Sequence, residues 1–130
     1  MKVDFINFSD PKDHKYFLLI GGEFVLKQEV TDQILQKLAN DGFTEKVTIS
    51  QDELDTIQEL VSSNIRGSLF QENLIIHIKH TSGKFPEKIK SLIEDGEIFK
   101  SLNIALIIES RIEKIPASGP WIGNFDSFGL

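Results

Sequence analysis

The stretch "IGGEFVLKQE", residues 20 to 29, gathers residue types that bind phosphate: glycines after an apolar run, then a lysine inside a helical pattern. A working Walker A loop reads G-x-x-x-x-G-K-[ST], and each part has its duty. The glycines let backbone N–H groups curl around the phosphates, the lysine reaches the terminal phosphates, and the Ser/Thr hydroxyl holds magnesium. From Gly21 this chain reads G-G-E-F-V-L-K-Q, which keeps the first glycine and Lys27. Leu26 stands at the second glycine, bringing a Cβ and an apolar side chain that prefers the core. Gln28 replaces the magnesium-holding hydroxyl and is a poorer ligand of different reach, while Glu23 adds negative charge where phosphate oxygens would sit. Gly21, Gly22 and Lys27 therefore make a degenerate phosphate loop, expected to be an inactive strand-to-helix turn with Lys27 a solvated helix charge and no cofactor bound. The alternative is a nucleotide-binding, P-loop-like enzyme using Lys27.

Other catalytic arrangements are scarce. A Walker B strand ends in Asp, usually followed by Glu, yet "NLIIHIKHTS" offers His77, Lys79 and His80, and "LIIES" offers Glu109 alone. His77 and His80 are three apart, and on a strand odd and even positions face opposite sides, so the rings cannot easily share a metal. His14 is remote in the lead-in. No cysteine is present, which removes disulfides, thiolate metal sites and cysteine nucleophiles, and no G-x-S-x-G elbow appears. No catalytic residue and no metal site are expected.

A different kind of feature is "IRGSLFQEN", residues 65 to 73. Gly67 is expected to release the chain from a helix, so that Ser68, Leu69 and Phe70 fall in a turn or short helical step before the next strand. Adjacent Leu and Phe there make either a small exposed apolar knob or a plug for the domain's own core. Docked in a partner's pocket, each could contribute roughly 1.5–3 kcal/mol through burial. Residue types and spacing leave the two outcomes equal.

The elements that must position these residues follow from periodicity. Tyr16 to Ile20 reads as a buried strand. Phe24, Leu26, Val30, Ile34, Leu35 and Leu38 then follow the spacing of an amphipathic helix closed by Asn40-Asp41-Gly42, with Gly42 in the left-handed cap conformation. Val47 to Ile49 reads as a brief strand. Ser50-Gln51-Asp52-Glu53 has capping-box spacing and opens a helix carrying Leu54, Ile57, Leu60, Val61 and Ile65, with Gly67 as its stop. Leu74, Ile75, Ile76 and Ile78 form a third strand, and Pro86 suits the first turn of a helix carrying Ile89, Leu92, Ile93 and Phe99. "LNIALIIES" is the pattern of a central strand. Strands alternating with helices imply a doubly wound, mostly parallel α/β sheet with right-handed crossovers. Trp121, Phe125 and Phe128, at i, i+4 and i+7, predict a short helix pressing three rings on the sheet.

Length and charge bound the partners. At 130 residues the chain has room for one domain, residues 1–130. The net charge of -6 lies in the first half, where residues 1 to 60 hold 6 Lys and Arg against 12 Asp and Glu; residues 61 to 130 hold 8 against 8. An acidic surface repels phosphate backbones, so a protein or small ligand is the better partner than DNA or RNA. No signal peptide or long apolar run is present, which points to a soluble, cytoplasmic protein without membrane contact.

The set "YFLLIGGEFVLKQE", "DGFTEKVTI" and "GSLFQENLIIHI", in this order and spacing, resembles the N-terminal domain of the delta subunit of the bacterial DNA polymerase III clamp loader, over about residues 16 to 115. The resemblance implies an AAA+ or P-loop NTPase-like domain with an idle phosphate loop that binds the beta sliding clamp and helps open the ring. It implies that Leu69 and Phe70 enter the hydrophobic pocket of the clamp, with Gly67 and Ser68 setting the turn that projects them. Arg66, Gln71 and Glu72 are added as a polar rim on proximity alone. ATP is hydrolysed by other loader subunits in that family, whose chains continue into further domains; the chain is thus expected to be an N-terminal fragment. The implied partners of the full-length protein are the clamp, the delta prime and gamma/tau subunits, and DNA only indirectly through the assembly. A scaffold domain binding some other protein through the same knob is a further alternative.

Overall fold

The apolar run Tyr16–Ile20 forms strand β1, whose Phe17, Leu18 and Leu19 are fully buried, as a strand covered on both faces must be. The computed structural model describes residues 15–22, 24–68, 73–80, 86–95, 104–111 and 126–129. After β1 come helix α1 (Phe24–Asn40) and strand β2 (Phe43–Ile49). A 3-10 turn over Gln51–Thr56 leads into helix α2 (Ile57–Ser68), followed by strand β3 (Asn73–Lys79). Helix α3 (Glu87–Asp95), strand β4 (Ile104–Glu109) and strand β5 (Asp126–Gly129) complete the order.

The strands make one sheet in the order β2-β3-β4-β1-β5, and every neighbouring pair is parallel. The chain leaves β1 across the sheet to β2, then returns through β3 and β4. If successive crossovers keep one hand, this reversal puts α1 on one face and α2 with α3 on the other. The packing agrees. Phe17, Leu19, Ile75, Ala105 and Ile107 form one core with Val30, Ile34 and Leu38 of α1. Leu18, Ile20, Ile76, Ile78, Leu106 and Ile108 form the other with Ile57, Val61, Ile89 and Ile93. Alternation along each strand supplies both cores from one sequence run.

Local signals hold at several joints. Gly42 has φ +94° and closes α1 where its left-handed conformation was expected, with its N–H donating to Ala39 O at 3.0 Å. The Ser50–Glu53 capping pattern is present: Ser50 N–H and its hydroxyl both donate to Glu53 Oε1, at 3.2 and 3.1 Å. Lys90 N–H donates to Pro86 O at 3.1 Å, so Pro86 stands immediately before α3.

Four expectations need correction. β2 begins at Phe43, earlier than Val47, because pairing with β3 over Phe43↔Asn73 to Ile49↔Ile78 extends the strand beyond its apolar end. The capping box opens a 3-10 turn before the α-helix proper. Gly67 does not stop α2, which continues through Ser68; a single glycine near a helix end costs only about 1 kcal/mol. The stretch Asp126–Gly129 is a strand, not part of a helix: it pairs with β1 from Phe17↔Asp126 to Ile20↔Gly129. Ring spacing reports side-chain period and says nothing of the open edge of β1, whose backbone groups need partners. Phe99, Trp121 and Phe125 lie outside the described residues.

Candidate functional site

Because the strands are parallel, β1, β3 and β4 bring their carboxyl ends to one edge of the sheet, where the chain diverges towards β2 and β5. A cavity of about 400 Å³ opens there, lined by Gly22, Lys27, Gln28, Lys79, His80, Glu109 and Arg111. It lies between the end of β1 and the start of α1, where a phosphate loop would stand.

The loop itself is short. β1 ends at Ile20 and α1 begins at Phe24, so Lys27 is already one turn inside the helix. Gly21 is buried with φ +112°, a conformation that favours glycine. Gly22 is exposed, and a Cβ there would meet nothing within 4 Å, so only the first glycine is demanded by geometry. Lys27, expected as a solvated charge, is half-buried, and its Nζ donates to Ser110 O at 3.4 Å. Burial lowers its pKa and the neighbouring Arg111 lowers it further, against the opposing attraction of Glu109. Gln28 Nε2 donates to Asp32 Oδ1 at 2.9 Å along the exposed side of α1.

Glu109 is the hub. It continues the row of Ala105 and Ile107 that faces α1. Thr31, buried in the middle of α1, donates its hydroxyl to Glu109 Oε1 at 3.0 Å. His77 Nε2 lies 3.2 Å from Glu109 Oε2, and Lys79 Nζ lies 3.7 Å from the same oxygen. The His77 contact has ion-pair distance without the angle of a regular hydrogen bond, so its attraction is mainly electrostatic. Burial alone would raise the Glu109 pKa, but His77, Thr31 and Lys79 together outweigh it and hold the carboxyl below its ordinary value. His80, 2% exposed, has its pKa lowered to about 4 by burial and by Lys27, and is neutral at pH 7.

His77 sits within β3 on the α1 side and His80 follows the strand end. No group of three or more His, Cys, Asp or Glu suited to a metal occurs among the described residues. Thr31 and the role of Glu109 were missed in the sequence. A lone acid ending an apolar strand was the available signal, since a buried carboxylate needs partners; a threonine inside a helix gave none.

The end of α2 and the start of β3 lie at the opposite edge of the sheet. Arg66, Gly67 and Ser68 belong to the last turn of α2. Leu69, Phe70, Gln71 and Glu72 fall between the end of α2 and the start of β3 at Asn73, outside the described residues. β3 thus starts at the link that carries the Leu-Phe pair and ends at the cavity, about 20 Å away at the usual rise of a strand.

The five-stranded parallel order, with α1 on one face and α2 and α3 on the other, defines an AAA+-like α/β domain. Among solved structures, C. elegans PCH-2, an AAA+ protein, is similar with a TM-score of 0.57 at 13% identity, over 95% of this chain and 37% of that chain. This chain spans little more than a third of that structure's length, and at such identity the likeness speaks for the fold alone. None of the curated proteins matches. Residues 17–116 match the profile of the family "DNA polymerase III, delta subunit", and the chain belongs to that family, a component of the clamp loader. No helix among the described residues is long and apolar enough to cross a membrane.

Proposed function

We propose that this chain is a non-catalytic clamp-loader module that binds the beta sliding clamp through Leu69 and Phe70 and helps open the ring. The family match carries the proposal, because residues 17–116 include the Leu-Phe pair in the link between α2 and β3. Both side chains anchor in an apolar pocket of the clamp, Gly67 and Ser68 shape the approach at the end of α2, and Arg66, Gln71 and Glu72 form the polar rim. Residues 1–130 act as one domain of a longer delta subunit working in the bacterial cytoplasm with delta prime and gamma/tau, and they meet DNA only through the assembly.

The phosphate loop is idle in this account. Lys27 is engaged with Ser110 O at 3.4 Å and Gln28 with Asp32 at 2.9 Å, and α1 begins where a phosphate-binding loop would still be open. Titration with purified clamp tests the anchors: Leu69→Ala and Phe70→Ala together should weaken binding at least about 100-fold if each anchor is worth roughly 1.5–3 kcal/mol. Equal affinity in a folded double variant would remove the anchor role. The rival, nucleotide binding through Lys27, draws on the 400 Å³ cavity and predicts a melting temperature raised by ATP with magnesium. A flat melt excludes it.

A further inference from the structure

We propose that the cavity at the carboxyl edge is an oxyanion site whose occupant is the chain's own Glu109 carboxylate. The inference concerns the cavity alone and does not depend on clamp binding. Three cationic side chains, Lys27, Lys79 and Arg111, line this cavity against the single carboxylate of Glu109, in a chain whose net charge is -6. Such a positive excess in a crevice favours an anion with several acceptor oxygens.

Glu109 already supplies one. Its Oε1 accepts from Thr31 at 3.0 Å, and its Oε2 faces His77 at 3.2 Å and Lys79 at 3.7 Å. Each oxygen thus has a donor or a positively polarised neighbour, as the oxygens of a bound phosphate would. Lys27 is turned to the adjacent Ser110 carbonyl at 3.4 Å. Of the cations that would greet an incoming phosphate-type anion, Lys27 and Lys79 therefore already face oxygens of the chain itself, and the exposed Arg111 stands at the rim of the cavity. Strand alternation fixes the face: Glu109 stands on the α1 side in the row it shares with Ala105 and Ile107. The carboxylate ties α1 to β3 and β4 in one state, without any dissociable ligand.

Inorganic tripolyphosphate without magnesium is the probe, read by thermal melting. The unaltered chain should show a shift of no more than about 1 °C, within the scatter of such melts. Glu109→Gln keeps the shape and removes the charge; its melt should start lower and rise by roughly 3–6 °C at tripolyphosphate about ten times its Kd. Adding Lys27→Met to that variant should abolish the rise. Glu109→Ala, which empties the space, should be rescued by the same anion. The proposal is overturned if the unaltered chain is stabilised as much as Glu109→Gln, if Glu109→Gln does not respond, or if the response survives Lys27→Met. It is overturned equally if both Glu109 variants stay unfolded at every anion concentration.

Discussion

Thr31 and His80 are buried polar residues beside the partly buried Glu109 carboxylate, and each makes a prediction of its own. Replacing Thr31 by Val keeps its shape but removes the 3.0 Å bond to Glu109, which should cost about 1–3 kcal/mol in denaturant unfolding. His80 gives a pH dependence whose sign follows from its pKa, 6.5 in the ordinary case and about 4 in the fold. Between those values the unfolded chain binds the proton and the native chain does not, so stability falls as pH falls through that window and is complete above it. The contribution is on the order of 3 kcal/mol, and urea melts at several pH values between 7 and 4 should show it. Glu109 acts in the same direction lower down, because its lowered pKa gives stability present above the ordinary carboxylate range and lost as pH drops through the folded value. An unchanged melt across this range would contradict a buried neutral His80.

At the scale of elements, the joints and the central strands carry the fold, and they differ in what they tolerate. Gly42→Ala should destabilise by about 1–2 kcal/mol, since φ is +94° and a Cβ would lie 3.2 Å from Asn73 Nδ2. Gly22→Ala, with open space around it, should fall within about 0.5 kcal/mol of the parent. Leu106→Ala, at a fully buried position of β4, should cost about 2–5 kcal/mol. The elements that periodicity foretold were those with a face to bury: β1, α1, β3, α3 and β4 all show their apolar rows in the sequence. β5 did not, because Asp126–Gly129 is held by backbone pairing with β1, and four residues are too few to display an alternation. The early start of β2 was hidden for the same reason, since Glu45 and Lys46 are exposed residues recruited by the ladder to β3. The destination of Lys27 depended on a carbonyl at residue 110 that local sequence could not supply.

Over the whole molecule, the parallel sheet separates two edges, and we assign clamp binding to one of them only. At the carboxyl edge Glu109 faces His77 and Lys79, and Leu69 and Phe70 precede the amino end of β3 in the chain. If the edges act separately, Glu109→Gln should lower the melting temperature and leave clamp affinity unchanged wherever the protein remains folded. The central claim is that the Leu-Phe pair anchors the clamp, and a direct titration of the chain with purified beta clamp measures it. We expect saturable binding by the unaltered chain and a Kd raised at least about 100-fold by Leu69→Ala with Phe70→Ala. Binding of unchanged strength by that folded double variant, or no binding by the unaltered chain, would contradict it.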